Sequence, residues 1–192
     1  MSITPENKII ATTLRDVIGG TPSVIRYWDS EDKYFIDILS SSNRPATGIS
    51  SFATIGLSDY DIGFRVDTKP LRVEFVGVCE SRFNFFLNII GDCALLVIKE
   101  RYESHPGVIL PDVIHEYLPE SEMKHIFLTT PFIWEDTLVQ LEFCDKTVTW
   151  LLAVPISDTE FEYADKNGTE ALEDEFVKHD VDISNIVRSS IL

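Results

Sequence analysis

A chain of 192 residues with 16 basic and 32 acidic side chains carries a formal charge of −16 and a sequence pI near 4.5. Phosphate binding needs the opposite sign, so direct contact with nucleic acid is excluded as an expectation and a basic protein becomes the partner that such a surface fits. Apolar residues at 44% and charged residues at 25% are an ordinary globular balance, and residues 1–192 are expected to fold as one domain.

Thr4-Pro5-Glu6 opens a helix: a hydroxyl to cap free amides, a proline whose missing N–H costs nothing there, and an acid at the positive dipole end. Ile10, Leu14, Val17 and Ile18 follow at helical spacing, and Gly19-Gly20 ends the element. The opening residues lack the basic start and apolar stretch of a secretory signal, so a cytoplasmic location is expected. From Ser23 to Val78 the period changes to two. Strands are expected at Ser23 to Trp28, Tyr34 to Leu39, Ser51 to Ile55 and Leu71 to Val78, joined as an antiparallel meander. In the last of these, Leu71, Val73 and Phe75 share one face, and Arg72 and Glu74 the other.

Arg82 to Arg101 reads as a mostly buried helix with Phe86, Ile89, Ile90, Cys93, Leu96 and Val97 on its inward stripe. Asn84, Asn88, Gly91 and Asp92 break its apolar run, so it does not span a membrane. Strands return at Val108 to Leu110, His125 to Thr130, Leu138 to Phe143 and Val148 to Ile156. The unbroken Trp150-Leu151-Leu152-Ala153-Val154 predicts a central strand buried on both faces. Ser157-Asp158-Thr159-Glu160 is a capping box for a helix to Lys166, stopped by Asn167-Gly168, and Thr169 caps a second helix from Glu170 to Lys178. The fold class is therefore α+β, a mixed and mostly antiparallel β-sheet flanked by α-helices.

The residues do not assemble a reaction. His105, His115, His125 and His179 lack the spacing of metal ligands, and His125 beside an apolar strand reads as structural. Cys79, Cys93 and Cys144 are odd in number and widely spaced, which suits reduced and mostly buried thiols. Gly56-Leu57-Ser58 lacks the flanking pattern of a nucleophile elbow, and no phosphate-cradling glycine loop occurs. Catalytic residues, metal ligands and cofactors are accordingly assigned to none, and the chain is expected to bind rather than to catalyse.

The acids are not spread evenly. Between Asp158 and Asp182 there are ten acids against Lys166 and Lys178, so half of the net charge sits in 25 residues. One account of this is the solvated outer faces of two surface helices whose inward stripe is Phe161, Ala164, Leu172 and Phe176, and a partner surface is the other. A surface that steers a basic partner accounts for the clustering, and Glu162, Asp165, Glu170, Glu173, Asp174 and Glu175 are its candidate partner-binding residues. Trp28, Trp134 and Trp150 are expected in the core. Trp134-Glu135-Asp136, an aromatic beside two acids at a strand edge, is also a candidate anchor for a basic partner.

Phe52-Ala53-Thr54-Ile55-Gly56-Leu57-Ser58 resembles the TxGLS strand-turn of the suppressor-of-fused domain family. Leu151 to Glu160 resembles that family's strand-to-helix junction, followed by Asp174-Glu175-Phe176 and by the closing segment Asn185-Ile186-Val187-Arg188. The Thr4 to Lys8 opening and the Val24 to Trp28 strand look most like the stand-alone bacterial antitoxins of the family. This resemblance implies an immunity protein that neutralises an LXG-type secreted toxin through contact with its basic C-terminal nuclease domain, reported as acting on RNA. The alternative that it implies is a regulatory module that sequesters another protein, as the larger animal members do.

Overall fold

The computed structural model describes residues 4–192. Helix α1 (Pro5–Ile18) begins with the Thr4 side chain accepting the Asn7 N–H at 3.1 Å, and ends as Gly19, at φ 74°, donates its N–H to the Arg15 carbonyl. Its buried stripe is Ile10, Leu14 and Ile18.

The strands are β1 (Ser23–Trp28), β2 (Phe35–Ser42), β3 (Ile49–Ile55), β4 (Arg65–Val66), β5 (Lys69–Glu80), β6 (Ile109–Leu110), β7 (Met123–Thr129), β8 (Leu141–Glu142) and β9 (Thr147–Ser157). They join one sheet in the order β1-β2-β3-β5-β9-β7-β6, with β4 paired to β5 and β8 to β9. All pairings are antiparallel except β5 with β9. A parallel pair needs a long crossover, and this one carries α2 (Phe86–Glu100), β6 and β7.

Both faces of the sheet are covered, which is why β9 reads as an apolar run. On one side Phe86, Ile89, Ile90 and Cys93 of α2 pack with Ile36, Ile38, Phe52, Val73, Phe75 and Leu151. On the other, α1 packs its stripe with Val76, Val78, Trp150, Leu152 and Val154, joined by Phe161 of α3 (Asp158–Asn167) and Phe176 of α4 (Thr169–Lys178). Gly91 of α2 is required by contact: a Cβ there would stand 2.3 Å from Cδ1 of Tyr27, so the tyrosine ring of β1 lies directly on the helix backbone.

Some expected boundaries move for local reasons. Helix α2 starts at Phe86 because Phe83 to Phe85 form turns, with the Phe83 N–H on the Glu80 carbonyl at 2.9 Å. The strand expected from Leu138 to Phe143 shrinks to β8, because a 3-10 turn at Phe132–Trp134 leads into the segment and the Leu138 N–H bonds the Trp134 carbonyl at 2.7 Å. Trp28, expected in the core, is 43% exposed because β1 is the edge strand.

Glu74 faces away from Val73 and Phe75 as the alternation requires, but the opposite face is roofed as well and the side chain has no solvent exposure. Its carboxylate accepts the Thr54 hydroxyl at 2.6 Å and the N–H groups of Gly56 at 2.9 Å, Leu57 at 3.2 Å and Ser58 at 3.0 Å. Burial pushes this carboxyl above its ordinary value, while the converging donors act the other way. Glu74→Ala strands those donors inside the protein. At about 1–3 kcal/mol for each buried group left unpaired, destabilisation should exceed about 3 kcal/mol, read as a lower urea midpoint at unchanged slope. A loss below about 1 kcal/mol would show that the turn needs no carboxylate.

Candidate partner-binding surface

Helices α3 and α4 follow β9 without a linker. The Ser157 hydroxyl accepts the Glu160 N–H at 3.1 Å, and a Glu160 oxygen accepts the Ser157 N–H at 3.0 Å, which closes the expected capping box. Glu160 is itself fully buried and takes a two-pronged contact from Arg188, at 2.6 and 2.7 Å, while Arg188 also donates to the Pro155 carbonyl at 3.0 Å. Asp158 accepts from Lys124 and, at 2.9 Å, from His125 Nε2. His125 Nδ1 accepts the Asp112 N–H at 3.0 Å, so the neutral ring carries its proton on Nε2. The Lys124 ammonium first, then His125, hold the Asp158 carboxyl below the ordinary carboxylate range. Two of the ten acids in this stretch are therefore internal fasteners.

The candidate acids divide further. Glu162, Asp165, Glu170 and Asp174 are exposed. Glu173 is half-buried and accepts the Thr129 hydroxyl, whereas Glu175 is engaged by Lys178 at 2.9 Å and lies 3.4 Å from His179. Trp134 cannot serve as an anchor: it is 7% exposed and packs in the core with Leu138, Val148 and Trp150, because the 3-10 turn directs it inward. The same turn leaves Phe132 52% exposed and Glu135 and Asp136 in solvent.

Phe132 meets α4 across an apolar cleft of about 440 Å³ lined also by Phe127, Phe176 and Val177, with Glu173 and Asp180 among its polar members. Val177 is 82% exposed. The sequence signal for this cleft is Val177, an apolar residue beside the inward-facing Phe176 in the turn Glu173 to Lys178, which the stripe pattern does not require. Among the described residues, no three His, Cys, Asp or Glu side chains converge as metal ligands, and no helix is long and apolar enough to cross a membrane. The surface can offer charge and apolar contact to another protein.

The chain belongs to the suppressor of fused protein (SUFU) family, whose match covers residues 32–189. It is 43% identical over 192 residues, the whole length of both chains, to the immunity protein YqcF of Bacillus subtilis (strain 168). Its fold is similar to that of a SUFU homolog from Neisseria gonorrhoeae FA 1090, with a TM-score of 0.72 at 14% identity over 97% of this chain and 96% of that one. The Sufu–Fu complex gives a TM-score of 0.65 at 10% identity, covering 98% and 91% of the two chains. Drosophila Suppressor of Fused gives 0.56 at 14% identity, with 88% of this chain matched to 42% of that one.

The Asp158 contacts set a pH dependence. A carboxyl whose folded pKa is depressed contributes stability that is fully present above the unfolded value, about 3.9, and is lost as pH falls through the folded value. Urea unfolding of the wild type and Asp158→Asn should therefore differ by a constant amount above about pH 5 and converge below it. Parallel profiles down to the acid limb would remove Asp158 from that role.

Proposed function

We propose that this chain is an immunity protein that binds and neutralises a secreted nuclease toxin of the LXG type, by contact with the toxin's basic C-terminal domain and without a reaction of its own. The full-length 43% identity to an immunity protein carries this reading. The charge of −16 and the exposed acids on α3 and α4 support a partner of opposite sign. The separation of kinds of acid supports a kinetic role for the exposed set: uncompensated surface charges accelerate encounter by roughly 10 to 1,000-fold at low salt and add less to affinity.

A second reading, a regulatory module that sequesters another protein, is supported by a relative of the same fold whose structure is of the Sufu–Fu complex. The two readings share binding as the mode and differ in the partner.

Coexpression with an LXG-type toxin, sought in the gene neighbouring that of this chain, decides between them. Cells should survive the toxin only when the chain is present, and equal death with and without it rejects the immunity reading. For the complex itself, neutralising Glu162, Asp165, Glu170 and Asp174 together should lower the association rate about tenfold at low salt and flatten its salt dependence. An unchanged salt slope, measured by stopped-flow mixing, would take the steering role away from α3 and α4.

A further inference from the structure

A second acidic region lies on the α2 side of the sheet, in a cleft of about 640 Å³ between the tip of the β1–β2 hairpin, the C-terminal half of α2 and residues 111–117. Its carboxylates are Asp29, Asp92, Glu100, Asp112 and Glu116, against a single ammonium, Lys99. Charge of one sign on a surface is common and by itself says little. Two details of the bonding say more.

The first is Asp29, which is only 7% exposed. Its Oδ1 closes the hairpin by accepting the Lys33 N–H at 2.7 Å and the Tyr34 N–H at 3.0 Å. Its Oδ2 is buried and accepts no hydrogen bond; Lys99 Nζ, 3.4 Å away, supplies charge without that bond. The Tyr34 N–H first, with the Lys33 N–H and the Lys99 ammonium, holds the Asp29 carboxyl below the ordinary carboxylate range against its burial, so the wall of the cleft keeps this negative charge.

The second is Asp92. Tyr27 donates to its Oδ1 at 2.7 Å and Tyr117 to its Oδ2, and the two phenol oxygens lie 3.1 Å apart. Phenols satisfy lone pairs while leaving the negative charge in place. Burial, the leading cause, raises the Tyr27 hydroxyl to about 12, so it stays a donor at neutral pH. Tyr27 and Tyr117 also line the cleft with aromatic rings.

We propose that this cleft is an anchor site for an arginine side chain of the protein partner. A guanidinium carries five donors in a plane, enough to bond more than one of the exposed rim acids Glu100, Asp112 and Glu116 while the charges of Asp29 and Asp92 attract it from the wall, and it stacks on aromatic rings as a hydrated ammonium does less well. A divalent metal fits poorly, because it needs several converging free oxygens and both oxygens of Asp92 already accept phenols. The identity of the partner as a basic toxin rests on the immunity reading; the affinity of the cleft for a guanidinium does not. Arginines that a nuclease uses against phosphate are groups of this chemistry.

The probe is N-acetyl-arginine amide, titrated into the isotope-labelled full chain at about 0.15 M salt, with the uncharged citrulline analogue as control. Saturable shifts should centre on Tyr27, Trp28, Asp92 and Lys99, and citrulline should bind at least tenfold more weakly. Asp29→Asn keeps the Oδ1 acceptor of the hairpin, and Glu116→Gln sits on the exposed rim, so both variants should fold; each should weaken the arginine probe severalfold. Equal binding of citrulline, or shifts centred on α3 and α4, overturns the site. In the toxin complex the same two substitutions should speed dissociation and leave association nearly unchanged, the opposite of the α3–α4 variants. If the wild-type chain protects cells and these variants dissociate as slowly as it does, the anchor fails while the immunity reading stands. If the wild type does not protect, that reading fails, and the probe titration alone judges the cleft.

Discussion

A carboxyl group with no access to water is costly for a fold to contain unless donors converge on it, and Glu74 occupies the middle of β5 in that condition. It is tolerable only because Thr54 at the end of β3, and the three successive N–H groups of the Gly56-Leu57-Ser58 turn, converge on it. Gly56 reaches its place with φ at 100°, where a side chain is strained. The Thr54 hydroxyl further accepts the Phe75 N–H at 2.8 Å, tying the end of β3 to β5 beyond the last pair of their ladder. The register of β3 on β5 thus depends on one acid, and β5 in turn sets β9, the parallel partner from which both α3 and α4 depart.

Glu160 repeats this device at the far end of the chain. It completes the N-terminal cap of α3 and receives Arg188, so the closing segment is bound to the strand-to-helix junction by a buried ion pair. Breaking one partner of such a pair leaves the other buried and charged, which makes the pair a register lock whatever its net contribution to stability. Two of the motifs by which the sequence resembles its family are these knots: Thr54 to Ser58 surrounds Glu74, and Ser157 to Glu160 with Arg188 forms the other. They record internal contacts and carry no information about a partner.

That is why the fold was legible and the site was only partly so. The helix starts at Thr4 and Ser157, the central position of β9 and the alternation in β5 follow from local rules that the structure obeys. Whether an aromatic or an acid faces water depends on what covers it, which local pattern does not state. Trp134 keeps its expected place in the core and loses only its candidacy as an anchor, because a 3-10 turn directs it inward, whereas Trp28, also expected inside, is left uncovered by the sheet edge. Glu74 has the sequence look of a solvent-facing strand residue, and only the roof supplied by the turn after β3 makes it structural.

The distribution of negative charge follows the same division. Acids within the stretch from Asp158 to Asp182 that touch Arg188, Lys124 or His125 are spent on joining α3 to the sheet, and their fields are cancelled within a few ångströms. Only acids without such partners project beyond the surface, and screening confines their reach to about 8 Å at physiological salt. A basic partner of the proposed kind would therefore feel the exposed acids of α3 and α4 on approach, but a group that must release its water gains most where carboxylates are partly shielded by protein. Asp29 and Asp92 meet that condition and the helix faces do not, so in the proposed complex steering and holding would be separable tasks, divided by burial between opposite sides of one sheet.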